Sequence, residues 1–334
     1  MPPLSAPAAP SVQPARPAAP RLALGALWLL GFLGAAPAHA QVNTVQTVAP
    51  NVYFHQGEAK GKGHCNNGWI VFDDYIVVID ANFPSGAREV LPKIRAISDK
   101  PIRFVFDTHH HGDHAYGNQL WHESGATPVA HVGVIEELKK YEAQSLTGSG
   151  PGRWQEAAKN RPDVAESRLK APTILFKNEL IFDDSKTRVE LLHFGVAHTH
   201  GDGFAWMPKE RILFTGDACV NGAFNYLADG NSGDWIRTLQ AVQKLEPKIV
   251  CPGHGPMGGP EVLEDQIQFF VSLRSEVARL LEAKKTPAEA EASLEQVIQN
   301  LRQNPRIDRF VGRSLPTQFE KVWTELGGAP FPSK

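Results

Sequence analysis

The sequence predicts an α/β protein built around a mixed β-sheet, and three observations support this. An apolar strand at Tyr75–Ile79, a helical pattern at Ala87–Ile97 and a second strand at Ile102–Phe106 follow one another along the chain. Short strand-like runs recur at close spacing in the second half, and the chain beyond Glu261 is helical in pattern. With 334 residues, 42% of them hydrophobic, the chain can bury a large core.

Residues 1–40 are expected to form a secretory signal peptide. Arg16 and Arg21 precede an apolar run from Leu22 to Ala36, and Ala38-His39-Ala40 is typical of a cleavage site after Ala40. An uncleaved membrane anchor is the alternative. No later segment is apolar for long enough to cross a bilayer, so we expect a periplasmic or secreted protein with no stable membrane span after cleavage.

Charge and cysteine content narrow the class of partner. Lys and Arg total 34 against 36 Asp and Glu, so the chain is slightly acidic and gives no support for nucleic-acid binding. The three cysteines, Cys65, Cys219 and Cys251, are an odd number, which leaves at least one of them unpaired. We therefore expect no disulfide framework.

The first half of the chain predicts a strand at Val48–His55, a hairpin within Gly68–Asp80 and then the strand, helix and strand described above. After the second strand we expect a helix at Gly117–Glu123, a short strand at Pro128–Ala130 and a helix at Val132–Tyr141. The polar stretch Ala143–Lys170 has no strong core pattern. We interpret it as an insertion over the active-site face, with a solvated surface helix as an equal alternative.

The second half predicts five short strands, then a helix at Gly233–Leu245 and a last strand at Ile249–Cys251. Further helices are expected at Glu264–Glu282 and around Ala288–Arg302. We therefore divide the mature chain into a catalytic domain at residues 41–262 and a helical extension at residues 263–334. This extension can cover a sheet face or form a dimer surface, and the sequence leaves the oligomeric state open. The five strands are expected at Ile174–Phe176, Leu180–Phe182, Val189–Phe194, Phe204–Met207 and Arg211–Phe214.

The strand at Ile102–Phe106 runs into the most informative segment of the chain, Asp107-Thr108-His109-His110-His111-Gly112-Asp113-His114. In extended backbone His109 and His111 project to the same side and can share a metal ion, whereas His110 points away. Gly112 lets the loop reverse and bring Asp113 and His114 toward the same cavity. One loop can therefore supply two ligands to each of two metals.

The order His109-x-His111-x-Asp113-His114 resembles the motif of the metallo-β-lactamase superfamily. The resemblance extends from Val48 to Pro260 and implies the four-layered αββα sandwich of that family, whereas periodicity alone gives only an α/β fold with a mixed sheet. Matching motifs follow in the family's order at Gly195–Asp202, Phe214–Asp217 and Cys251–Gly255.

The resemblance implies a dinuclear zinc site, although the nitrogen and oxygen donors also suit iron or manganese. It further implies that a metal-bridging hydroxide attacks an ester, thioester, lactone or β-lactam carbonyl of a small-molecule substrate. Asp113 would orient this hydroxide and carry the proton to the leaving atom, and Asp80 would brace the histidine loop. In this assignment one metal is held by His109, His111 and His198, the other by Asp113, His114 and His254, and Asp217 bridges the two.

Three residues near these motifs are not expected to be ligands. His110 and His200 lie beside ligands and are expected to support them or to be exposed. Some β-lactamases of the superfamily use a cysteine ligand, but Asp217 supplies the oxygen ligand before Cys219 is reached. We therefore expect Cys219 to be a small buried residue.

An aspartate at position 217 resembles the glyoxalase-type and lactonase-like branches of the superfamily more than the zinc β-lactamases. The expected rims of the pocket are Gly61–Gly68 and Asn221–Tyr226, where Tyr226 or an asparagine can donate to an oxyanion. Two other functions stay open on the same scaffold. One is persulfide oxygenation with a single iron, and the other is a metal-binding relay protein without catalysis.

Overall fold

Two β-sheets packed face to face form the centre of the fold. The computed structural model describes residues 42–60, 63–147 and 152–332, so the expected signal peptide at residues 1–40 lies outside the described residues. The described residues belong to one compact unit.

The first sheet has seven strands, and their order in space is their order in the chain. The first three neighbouring pairs are antiparallel and the last three are parallel, which makes the sheet mixed. The strands are β1 (Val45–Ala49), β2 (Val52–His55), β3 (Asn67–Val71), β4 (Ile76–Ile79), β5 (Ile102–Asp107), β6 (Thr127–His131) and β7 (Ile174–Phe176).

The single strand expected at Val48–His55 is wrong, because a tight turn splits this stretch into β1 and β2. Ala49 pairs with Val52 across the turn. Pro50 has no N–H to donate to a ladder, and Asn51 adopts a φ of 65°, a left-handed conformation that asparagine tolerates better than most residues.

The second sheet has five strands in the order β12-β11-β10-β9-β8. Only β11 and β12 are parallel, and the other neighbours are antiparallel. The strands are β8 (Glu179–Asp183), β9 (Arg188–Leu192), β10 (Phe204–Met207), β11 (Ile212–Gly216) and β12 (Ile249–Pro252).

Helices cover the outer faces of the two sheets. In the first half these are α1 (Pro84–Ile97), α2 (Gly112–Ala115), α3 (Asn118–Glu123), α4 (Val132–Thr147), α5 (Arg153–Ala158) and α6 (Pro162–Ala165). In the second half they are α7 (Ser232–Gln243), α8 (Glu261–Glu282), α9 (Pro287–Ala292), α10 (Leu294–Arg302) and α11 (Leu315–Glu325), with a 3-10 turn at Asp308–Phe310. The one helix expected around Ala288–Arg302 is thus two, interrupted at Ser293, whose hydroxyl donates to the carbonyl of Glu289.

Three large apolar cores separate the layers. Side chains from both sheets, such as Phe54, Ile79 and Phe214, share the central core. Trp69 and Val90 belong to the core between the first sheet and α1. The third core joins the second sheet to α7 and to the helices after residue 260. The chain is therefore the expected α/β protein in four αββα layers, and its carboxyl-terminal helices cover a sheet face.

Two further observations concern the whole described chain. None of its helices is both long and apolar enough to cross a membrane. Cys65, Cys219 and Cys251 are all unpaired and buried.

Candidate metal centre

The candidate site lies where several strands end at the same edge of the two sheets. His109, His111, Asp113 and His114 follow β5 directly, because the chain turns at once into the short helix α2. The other candidates come from the loop after β9 and from the ends of the parallel pair β11 and β12. Carboxyl ends of parallel strands commonly deliver functional side chains to a shared crevice.

Three histidines form the first group. Nδ1 of His111 lies 2.8 Å from Nε2 of His198. The ring of His109 is centred 4.8 Å from each of the other two rings, and its buried Nε2 has no hydrogen-bond partner among the described residues. Each histidine offers a nitrogen within 4.8 Å of the others, which is close enough for one shared ion.

Hydrogen bonds at the outer nitrogens fix which nitrogen of each ring faces the centre. Nδ1 of His198 donates to the carbonyl of Tyr226 at 2.7 Å, and Nε2 of His111 lies 2.8 Å from a carboxylate oxygen of Asp229. Nδ1 of His109 lies 3.1 Å from the Thr108 hydroxyl. Because each outer nitrogen carries the proton in this arrangement, the inner nitrogen keeps a lone pair for a metal.

The second group contains Asp113, His114 and His254. Nε2 of His254 lies 3.1 Å from a carboxylate oxygen of Asp113 and 3.4 Å from Nε2 of His114. On its outer side, Nδ1 of His114 lies 2.9 Å from Asp80. Asp80 also accepts hydrogen bonds from the backbone and hydroxyl of Thr108, so it ties the two ends of the histidine loop together.

Asp217 lies between the two groups. One carboxylate oxygen is 3.2 Å from Nε2 of His114, and the other is 3.7 Å from Nε2 of His198 and 3.5 Å from Nε2 of His254. Gly253 makes room for this carboxylate, because a Cβ there would lie 2.1 Å from its Oδ1. Asp217 is therefore placed to bridge two ions, one in each group.

The protonation states of His109, His198 and Asp217 suit metal ligands. Burial, together with the neighbouring histidines, lowers the pKa of His109 well below its usual value and that of His198 to about 3. Burial alone would raise the pKa of Asp217, but His254 and His114 outweigh it and hold that pKa below its usual range. Neutral imidazoles and an ionised carboxylate are the forms that bind a divalent cation. Despite burial, the surrounding acidic groups raise the pKa of His114 and of His254, so a metal ion must displace a proton from these two rings.

The donor set therefore fits two divalent metal ions. All seven side chains expected to be ligands come together. Nε2 of His109 has no hydrogen-bond partner among the described residues, so its lone pair is available to a metal ion. Nitrogen and oxygen donors without sulfur are compatible with zinc, iron or manganese.

The residues expected not to be ligands lie outside the two groups. His110 is buried and its ring stacks on that of Tyr141, with the ring centroids 5.4 Å apart. His200 is exposed. Cys219 is fully buried, and its thiol lies 3.6 Å from the carbonyl of Val262.

Three nearby residues were not found by sequence reasoning. Asp229 and Arg153 come from segments far apart in the chain, and only the fold shows that they meet beside His111. Cys65 lies with Asp80 and His114 in a buried group. Burial raises the pKa of the Cys65 thiol to about 12, so it is a neutral thiol rather than a thiolate.

An open cavity of about 980 Å³ leads to the two groups. Its lining includes Gly63, Phe224 and Tyr226 from the two expected rims. Phe224 also stacks on His254 with ring centroids 5.0 Å apart. The segment after α4 contributes Arg153 and Ala157, so part of the stretch expected as an insertion does line the site.

The carboxyl-terminal extension also reaches the cavity. Arg313 and Ser314, which precede α11, belong to its lining. The lining thus contains three cationic side chains, those of Lys60, Arg153 and Arg313.

Two curated proteins are similar in sequence to parts of this chain. A metallo-beta-lactamase type 2 from Bacteroides fragilis is 27% identical over 113 residues, which are 32% of this chain and 45% of the relative. A linear primary-alkylsulfatase from Pseudomonas sp. (strain ATCC 19151) is 22% identical over 222 residues, which are 58% of this chain and 42% of the relative. The chain thus spans less than half of the length of these curated relatives.

Solved structures share the fold. A metallo-beta-lactamase from Pontibacter korlensis superimposes with a TM-score of 0.53 at 20% identity, covering 68% of this chain and 98% of the other. The DIM-1 metallo-beta-lactamase gives a TM-score of 0.54 at 19% identity, covering 70% of this chain and 98% of the other.

The model of the metallo-beta-lactamase superfamily matches residues 61–254, which is more than half of the chain and includes every expected ligand. The two curated relatives, a β-lactamase and an alkylsulfatase, are both hydrolases by name. On the match of the family model and the shared fold, this chain belongs to the metallo-beta-lactamase superfamily.

Proposed function

We propose that the protein is an exported hydrolase with two zinc ions that cleaves an ester, thioester, lactone or β-lactam bond. The observation that carries the proposal is the position of Asp217 within 3.7 Å of ligand nitrogens in both groups, at the base of an open cavity. Two complete donor sets that share one carboxylate are what a dinuclear hydrolytic site requires.

The metal ions, when bound, supply Lewis acidity that lowers the pKa of water and polarises a carbonyl. The chain's own residues do the rest. His109, His111 and His198 hold one ion, and Asp113, His114 and His254 hold the other. Asp113 is partly open to the cavity, with 25% of its side chain exposed, so it can also orient the attacking water and move a proton to the leaving atom.

Charge at the mouth of the cavity favours substrates that carry a negative group. Arg153 is paired with Asp229, but Lys60 and Arg313 make no ion pair with any other described residue. The acidic side chains in the lining, Asp113 and Asp217, face the metal positions. Unpaired cations beside a reaction centre attract and orient an anionic part of the substrate.

The names of the relatives suggest which bonds to test. A β-lactamase and an alkylsulfatase both match this chain, so a β-lactam and an alkyl sulfate belong in the panel. The aspartate at position 217 favours the lactonase-like and glyoxalase-type reactions instead. Export to the periplasm or medium is proposed from residues 1–40 alone, and fractionation of cells that express the full chain tests it directly.

The experiment combines elemental analysis with hydrolysis assays. The purified mature chain is analysed for zinc, iron and manganese, and is then assayed on a lactone, a thioester, a chromogenic cephalosporin and an alkyl sulfate. Two zinc ions per chain with cleavage of one class supports the proposal and names the substrate class. One iron per chain with no hydrolysis would favour persulfide oxygenation, and two zinc ions with no hydrolysis would favour a metal-binding relay protein.

A further inference from the structure

The segment after α4 contacts the metal centre through an ion pair between Arg153 and Asp229. The two guanidinium nitrogens of Arg153 lie 2.6 and 2.9 Å from the two carboxylate oxygens of Asp229. This fork-to-fork pairing fixes the plane and rotation of a carboxylate better than a single contact does.

The carboxylate held in this way is the one that contacts His111. One oxygen of Asp229 lies 2.8 Å from Nε2 of His111, and the Asp229 side chain is only 3% exposed. Both Asp229 oxygens accept hydrogen bonds from the Arg153 guanidinium, so Asp229 is a carboxylate that accepts a hydrogen bond from Nε2 of His111. Nδ1 of His111 then keeps its lone pair toward His198.

The same residues could suggest a third metal site, since His110, His111 and Asp229 also offer closely spaced ligand atoms. The guanidinium of Arg153 argues against this, because it already places a positive charge 2.6 Å from Asp229. A second cation beside it would be repelled. The cation of this cluster is therefore Arg153 itself.

Arg153 is in turn held firmly by the protein. Its guanidinium lies 3.5 Å from the centre of the Tyr141 ring, a cation–π contact. The next residue, Trp154, donates its backbone N–H to Glu142 at 2.7 Å and packs its ring against Tyr116. Both contacts join the start of α5 to the body of the fold, so the Arg153 side chain is pre-positioned.

We propose that Arg153 is a positioning residue for the metal centre, which acts through Asp229 to fix the orientation of His111. The segment after α4 is then a structural part of the first metal site as well as a wall of the cavity. The proposal rests on the proposed function only in that the three histidines bind a metal ion, and it does not depend on the substrate.

The test measures zinc binding rather than turnover. Metal-free wild type and Arg153→Ala are titrated with zinc against a chromogenic chelator, which gives the affinity of each site. Removal of a residue that orients a metal-bound histidine typically lowers affinity about 10- to 100-fold. We expect that loss at one of the two sites, while the other binds as in wild type.

Three comparisons separate positioning from general damage. Lys159→Ala removes an exposed cation of the same segment and should leave both affinities unchanged. Arg153→Lys keeps the positive charge but cannot pair both of its nitrogens with Asp229, so its zinc affinity should lie between those of wild type and Arg153→Ala. Thermal unfolding of the metal-free variants shows whether Arg153→Ala remains folded, and ¹⁵N spectra of the His111 ring report whether Nε2 still carries the proton.

Wild-type zinc affinity at both sites in Arg153→Ala would overturn the inference. So would an equal loss at both sites, or a loss that Lys159→Ala reproduces, because either result indicates general destabilisation. A selective loss of one site in a protein that hydrolyses none of the tested substrates would support the role of Arg153 while the proposed function fails. The two failures can therefore be told apart.

Discussion

Asp80 lies 2.9 Å from Nδ1 of His114, on the side of the ring that faces away from the cavity. Its other oxygen accepts from the backbone and hydroxyl of Thr108 at 2.9 and 2.8 Å. Asp80 therefore keeps the proton of His114 on Nδ1, leaves Nε2 free for a metal, and joins the two ends of the histidine loop.

Asp80→Asn should weaken metal binding at the second site about 10- to 100-fold. The substitution should not strain the backbone, because Asp80 has a φ of 65° and asparagine tolerates that conformation. The reason is that an amide NH₂ must face either the His114 Nδ1 proton or the Thr108 donors. Zinc titration of the metal-free variant checks this, and unchanged affinity would show that Asp80 has no influence on His114.

Asp113→Asn should leave the fold intact and reduce turnover by orders of magnitude. Asp113 lies at the cavity surface, so its replacement disturbs no packed core, but asparagine neither accepts a proton nor binds metal as a carboxylate does. Circular dichroism and kcat on the best substrate check the two parts. His198→Ala is the comparison variant, since it should lose metal as well as activity. Wild-type turnover in either variant would show that the site is wrongly assigned.

Metal removal should lower the thermal stability of the protein. Any ion that binds only the folded state adds about 2.7 kcal/mol when its free concentration is 100 times its dissociation constant. Without metal, neutral His109 stays buried with its inner nitrogen, Nε2, unsatisfied among the described residues. Scanning calorimetry before and after dialysis against a chelator measures the change. Re-addition of zinc should restore the transition, and an identical Tm in both states would contradict metal binding.

Local sequence patterns predicted the α/β class, most strands and helices, and the spacing of the candidate ligands, whereas the four-layered arrangement was implied only by the family resemblance. Apart from the exposed Arg103, β5 is apolar as far as Phe106, and His109, His111, Asp113 and His114 follow it with fixed spacing. By contrast, the pairing of Arg153 with Asp229 joins segments 76 residues apart. Neither segment has a pattern that indicates the other, so only the folded chain reveals this pair.

The carboxyl-terminal helices illustrate the same limit. Their apolar periodicity predicted helices but not what they would cover. Helix α11 packs beside the loop at residues 221–231. In this loop the carbonyl of Tyr226 accepts a hydrogen bond from Nδ1 of His198. Gln318 donates to the carbonyl of Asn225, and Glu325 accepts from the backbone of Ser232 at 3.1 Å. A helix outside the matched family region therefore supports a loop of the site.

Gln318→Ala should destabilise the protein by about 1–3 kcal/mol, since it leaves a buried carbonyl without its donor. For a chain of this size each kcal/mol shifts Tm by about 1–2 °C. Thr317→Ala, at an exposed position of the same helix, is the control and should shift Tm little. Equal Tm values for the two variants would show that the contact to Asn225 is unimportant.

The cationic mouth of the cavity gives the most direct test of substrate choice. Arg313 lies in the lining and makes no ion pair with another described residue, so its charge is available to a substrate. A hydrogen bond to a charged group contributes about 1.5–3 kcal/mol. Arg313→Ala should therefore lower kcat/KM for an anionic substrate about 10- to 100-fold, and leave a neutral analogue with the same scissile bond nearly unchanged. Arg168→Ala, exposed and outside the lining, is the matched control. Equal losses for the anionic and neutral substrates would show that Arg313 acts on the structure of the site, whereas no loss for either would show that the anionic group binds elsewhere.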